Sequence, residues 1–256
     1  GAYCRRHFAE SRARMEWDSA MVKEISGFSL WSFFGSGSYV LNMQGINIVL
    51  NIFFCVFMNA ARGIATQVEG IVKQFISNML NAFNPQITKS WVSGDKDYCF
   101  MLVTNASKYV YLIILTIMLP VALESEILLR LWLGQVPEYA PLFVSLTFCT
   151  LLEMVVNPLH TLQLATGKVR RYFLITGSVS YMTLPIMWIV FKLGASPQWA
   201  YFTFFFVYLL VGILRMIIVS RQTEFPIAPY IKLMLKMLLL TCLALPLPLI
   251  MEEEMN

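Results

Sequence analysis

Long apolar runs recur along almost the whole chain, and no other feature restricts its possible folds so strongly. They occupy residues 27–57, 61–88, 99–122, 140–166, 172–192 and 199–219, with a weaker run at 231–250. A helix needs about 20 residues to cross roughly 30 Å of hydrocarbon, so each strong run can span a bilayer. The first two are longer than that and should tilt, kink or project. Membrane β-strands would instead alternate over segments of about ten residues, which these unbroken runs do not do. The expected fold class is an all-α integral membrane protein. Composition agrees, since 58% apolar residues, 13% charged residues and a mean hydropathy of +0.65 lie outside the soluble range.

The net charge of +4 does not call for nucleic acid, because the bases cluster between the apolar runs, where membrane topology accounts for them. Cys4, Cys55, Cys99, Cys149 and Cys242 are odd in number and widely spaced, and four lie within apolar runs, so no disulfide framework or zinc site follows. His7 and His160 are the only histidines, and neither stands at metal-ligand spacing from a cysteine. There is no Gly-x-Ser-x-Gly elbow, no phosphate-cradling glycine loop and no His-Glu-x-x-His. An enzyme, a cofactor and a metal are therefore not expected, and any transport would not draw on ATP bound to this chain.

The opening Gly1-Ala2-Tyr3-Cys4-Arg5-Arg6 has no signal-peptide pattern. Residues 1–24 read as a charged loop leaving an earlier membrane helix, and the chain as a fragment. Residues 25–222 then form a lobe of six transmembrane helices, and 223–256 a loop and a truncated seventh. Twelve Lys and Arg fall on one side: five in 1–24, then Lys89, Lys96, Lys168, Arg170, Arg171, Arg221 and Lys232. Arg62, Arg130 and Lys192 fall on the other, so the richer side is expected to be cytoplasmic. The connector 127–133, with Trp132, suits an amphipathic piece on the outer surface.

Polar residues inside the runs are costly in hydrocarbon and should face other helices or a wet cavity. In the first run Gly35, Ser38, Asn42 and Gly45 share one face, as a close helix contact through small residues or, for Asn42, as a polar group seeking a partner or water. In the second, Arg62, Glu69 and Lys73 fall within about 20° of one another, with Gln67, Gln74, Asn78 and Asn81 on a neighbouring stripe. Such a helix should line an aqueous cavity. The plainer alternative is a Glu69–Lys73 pair with Arg62 snorkelling. Asn42 and the charged stripe are expected to meet at one open surface. In the fourth run Glu153, Asn157 and His160 share a face loosened by Pro158; Glu153 is an ion or proton site, or pairs with a base on another helix.

Several segments resemble the polysaccharide biosynthesis flippases of the multidrug/oligosaccharidyl-lipid/polysaccharide exporter superfamily. These are Tyr3-Cys4-Arg5-Arg6-His7-Phe8, Asn59-Ala60-Ala61-Arg62-Gly63-Ile64-Ala65, Asn84-Pro85-Gln86-Ile87-Thr88-Lys89-Ser90 with Ser93-Gly94-Asp95, Leu131-Trp132-Leu133 with Val136-Pro137-Glu138-Tyr139, and Ala165-Thr166-Gly167-Lys168. The resemblance implies the C-terminal half of a two-lobe transporter, multi-pass in the bacterial inner membrane, lacking its N-terminal six-helix lobe. Its substrate would be an undecaprenyl-diphosphate-linked oligosaccharide for O-antigen or capsule, taken from membrane lipid. In that reading Arg62 and Lys73 attract the diphosphate and Glu69 holds Lys73. Asn42, Gln74, Asn78 and Asn81 meet sugar hydroxyls, and Glu153 with His160 is the candidate for ion or proton coupling. A cation-coupled multidrug exporter, a non-transporting membrane scaffold and a membrane-embedded enzyme are the alternatives.

Overall fold

The computed structural model describes residues 6–7 and 18–244, so most of the expected 1–24 loop and the end of the 231–250 run lie outside the described residues. Ten α-helices follow: α1 Ser19–Phe54, α2 Val56–Val92, α3 Lys96–Leu123, α4 Ser125–Leu133, α5 Ala140–Leu151, α6 Asn157–Ala165, α7 Arg170–Tyr181, α8 Thr183–Lys192, α9 Trp199–Thr223 and α10 Ile227–Ala244. No strand occurs among the described residues. Helix α1 starts inside the stretch expected to be loop. The expected connector is the short helix α4, whose Leu129 is buried while Leu131 and Trp132 face outward.

Four helical stretches are long and apolar enough to cross a membrane: Lys96–Leu123, Ala140–Ala165, Arg170–Lys192 and Trp199–Thr223. They make this an integral membrane protein. Helices α1 and α2, at 36 and 37 residues, are longer than any of these, yet neither is among the four. At 1.5 Å per residue each extends about 54 Å, well beyond one hydrocarbon thickness. Polar residues dilute both.

A single residue, Cys55, joins α1 to α2, with φ 74° and ψ 176°. That region is open almost only to glycine, because a Cβ there crowds the neighbouring backbone. The bend turns two long helices back on each other. Helix α1 then packs chiefly on α7, α2 on α3 and α5, and α9 on α7 and α8. The α1–α7 crossing depends on two glycines. A Cβ on Gly35 would stand 2.0 Å from the Phe173 ring, and one on Gly177 2.9 Å from the Phe34 ring.

Three apolar layers succeed one another along α2. Ala61 and Ala65 join Leu50, Phe143 and Phe204 at one end. Val72 and Ile76 join Ile114, Met118 and Leu151 in the middle, and Ile87 joins Leu159, Leu162 and Tyr230 at the other end. Helix α10 closes the side of α3: the Tyr230 hydroxyl donates to Ser107 Oγ at 2.9 Å, and Tyr111 pairs with Thr241. The middle layer flanks the polar interior.

Candidate functional site

Between α5 and α6 the helix tightens into a 3-10 turn, Leu152–Val156. Pro158 is the physical cause, because it has no N–H to give the carbonyl four residues back. Asn157 N–H bonds Met154 O instead, and the carbonyls of Val155 and Val156 each meet a side chain from another helix. The Tyr230 hydroxyl donates to the first at 3.4 Å and Arg215 Nη1 to the second at 3.3 Å. Arg215 Nη1 also donates to Asn157 Oδ1 at 3.1 Å. The irregular backbone thus recruits a guanidinium from the middle of an otherwise apolar helix.

This turn forms one wall of a cavity of about 450 Å³ bounded also by α1, α2, α7 and α9. Lys73, Glu153, Asn157, His160, Tyr172, Tyr208 and Arg215 all line it. Lys73 Nζ stands 2.8 Å from Glu69 Oε1 and 3.7 Å from Glu153 Oε1, and donates to the Tyr39 hydroxyl at 2.7 Å. Thr150 Oγ1 donates to Glu69 Oε1 at 3.1 Å. His160 Nδ1 lies 2.9 Å from the Tyr172 hydroxyl. Two carboxylates therefore share one ammonium, while the guanidinium of Arg215 meets only neutral acceptors and its buried Nε has no partner. An arrangement of this kind can exchange partners: any ion or proton that neutralises Glu153 leaves Lys73 wholly to Glu69.

Apart from Asn42, the expected site residues divide into three places. Glu69, Lys73, Glu153 and His160 gather in or beside the cavity. Arg62 is buried near the start of α2, three turns and about 16 Å from Lys73, with a buried Nε that has no partner. Gln74, Asn78 and Asn81, with Gln67, are exposed on another face of α2, where Gln74 Nε2 donates to Asn78 Oδ1 at 3.0 Å.

Asn42 corrects the expectation of one open surface shared with the charged stripe. It is fully buried, and its amide nitrogen lies within hydrogen-bond distance of Ser180 O, Ser180 Oγ, Thr183 Oγ1 and the Tyr208 hydroxyl, at 2.8–3.3 Å. Groups on α7, α8 and α9 close over the amide nitrogen, while the buried Oδ1 has no partner. The stripe likewise turns its charges inward, because a carboxylate or ammonium costs far more in hydrocarbon than a carboxamide does.

Tyr39, Thr150, Tyr208 and Arg215 were not among the candidates. Only Arg215 left a readable signal, as a lone cation deep in the 199–219 run. Among the described residues no three His, Cys, Asp or Glu side chains stand together as a metal site. No family model, curated protein or solved structure matches the chain.

Proposed function

We propose that this chain is one lobe of a flippase that turns an undecaprenyl-diphosphate-linked oligosaccharide across the bacterial inner membrane. The observation that carries the reading is the exposed carboxamide stripe of α2, Gln67, Gln74, Asn78 and Asn81, on a helix packed among membrane-crossing neighbours. Carboxamides donate and accept at once, which suits the hydroxyls of a sugar, and they carry no charge that would trap a diphosphate permanently. A second lobe facing this stripe would enclose a wet path, and rocking of the two lobes would alternate its access.

Arg62 and Lys73, turned inward from that stripe, would have to reach the diphosphate from behind it, and successively rather than together, since about 16 Å separates them along the helix. Reaching Lys73 requires its release from Glu69 or Glu153, and that exchange is the natural point for coupling. Protonation of Glu153, or an ion beside it with His160 nearby, would weaken its hold on Lys73. Asn42 has no direct sugar contact in this scheme; it fixes the helices behind the path.

Glycan export in cells, at matched protein levels in the complete two-lobe transporter, tests the reading. Arg62→Ala and Lys73→Ala should each reduce export by about one to two decades, as expected for loss of a charge-assisted bond. Lys96→Ala, whose partner Glu224 is on the surface, should leave export unchanged. Unaltered export by the Arg62→Ala, Lys73→Ala double variant would refute the role of both residues. Loss of drug resistance with intact glycan export would favour the exporter alternative.

A further inference from the structure

A second cavity, about 790 Å³, lies away from the polar interior, where the beginnings of α1 and α7 meet the end of α9. We propose that this cleft binds the phosphodiester headgroup of an anionic phospholipid. Its place fits, because Arg170 is the first residue of one candidate span and Gln222 the penultimate residue of another, which puts the cleft at the boundary of hydrocarbon and water.

Its lining has two halves. Lys23, Lys168, Arg170 and Arg171 supply four cations, and no carboxylate is among the described lining residues. Beside them on α1 and α7, Ile25, Phe28, Trp31 and Leu174 supply an apolar wall. The Arg170 guanidinium sits over the Trp31 ring, 5.2 Å from its centroid, which orients that charge across the seam of the two halves. Val169 gives the first turn of α7 no side-chain cap, so the N–H groups there add to the positive field.

Four like charges around one cleft repel one another, and an anion between them removes that cost. Solvated bases serving topology alone would need no apolar wall, and free phosphate would leave that wall bare. A diacyl lipid satisfies both halves at once, as in other basic pockets at the ends of membrane helices. The inference does not rest on the flippase reading.

Native mass spectrometry of the purified chain in neutral detergent tests it, with phosphatidylglycerol and phosphatidylcholine of matched acyl chains as probes and inorganic phosphate as competitor. Phosphatidylglycerol should be retained well ahead of phosphatidylcholine, and phosphate should not displace it. Arg170→Gln with Arg171→Gln should weaken that retention about 30-fold. The exposed pair Lys89→Gln with Lys232→Gln should not. Lys23→Gln with Lys168→Gln leaves α7 intact and should give a similar loss, which keeps the test decisive if the first pair misfolds. Equal retention of the two lipids, equal effects of cleft and control pairs, or full displacement by phosphate would overturn the proposal.

Discussion

The outer faces of α2 and α9 are chemically unlike, although both helices cross the same bundle and both turn a cation inward. Helix α9 exposes Phe206, Leu209, Leu210, Ile213 and Ile217. Helix α2 exposes Ile71 and Phe75, but among them stand Gln67, Gln74, Asn78 and Asn81. An unpaired amide in an apolar medium costs about 2–7 kcal/mol, and the Gln74–Asn78 bond relieves only part of that. One lipid surround would have made the two faces alike. On the function proposed above, α9 meets hydrocarbon and α2 meets something wetter, and that contrast leads to four predictions.

The inward cations give the largest contrast. Lys73→Met strands Glu69 and Glu153 without their shared partner and should lower stability by about 3–5 kcal/mol, read as thermal unfolding in detergent. Adding Glu69→Gln and Glu153→Gln should recover much of the loss. Arg215→Met removes the bonds to the Val156 carbonyl and the Asn157 amide oxygen, so about 1–3 kcal/mol is expected. Equal losses would break the distinction between a charge cluster at α2 and a backbone clamp at α9.

The outer faces come next. Leu209→Gln puts an unpaired amide against lipid and should cost about 1–3 kcal/mol in bilayers, whereas Gln74→Leu should change stability by less than about 1 kcal/mol. Stability in nanodiscs measures both. A large gain from Gln74→Leu would mean that α2 also faces lipid.

The joints into α2 and out of α9 sharpen the comparison on the scale of the backbone. Cys55 occupies a region open to glycine, so Cys55→Gly should stabilise by about 1–3 kcal/mol, visible as a raised melting temperature. Glu224, with φ 63° and ψ 25°, caps α9 in the ordinary left-handed region, and Glu224→Gly should gain less.

The smallest effect belongs to the surface pair. Lys96 Nζ stands 2.9 Å from Glu224 Oε2, and that hydrogen bond and charge hold the Glu224 carboxyl below the usual glutamate range. A depressed carboxyl contributes above the unfolded-chain value of about 4.3, and the contribution vanishes as pH falls through the folded value. The wild type and Glu224→Gln should therefore differ slightly in melting temperature at neutral pH and coincide in acid. Solvent screening keeps the difference small.

Much of the helical outline was legible because hydrocarbon imposes a length and an apolar content on any crossing segment. Each apolar run is helical over most of its described residues, although 140–166 is interrupted by the 3-10 turn and 172–192 is divided between α7 and α8, and the Glu69–Lys73 pair follows from spacing alone. Helical spacing also placed Glu153, Asn157 and His160 on one cavity face. What spacing does not contain is which helices meet. Tyr39 reaches Lys73 from another helix, and Arg215 reaches Val156 across 59 residues of sequence, so neither partnership is periodic. Asn42 shows the same limit: its cost in hydrocarbon was legible, but Ser180, Thr183 and Tyr208, which meet it, were not.

Spin labels on the two outer faces test the central claim most directly. With single cysteines at Gln74 and Asn78 on α2 and at Leu209 and Ile213 on α9, in a bilayer, power saturation compares collisions with a water-soluble nickel chelate and with oxygen. Preference for the chelate at Gln74 and Asn78 and for oxygen at Leu209 and Ile213 is the predicted result. Oxygen dominance at all four positions would contradict the account, because α2 would then face lipid as α9 does.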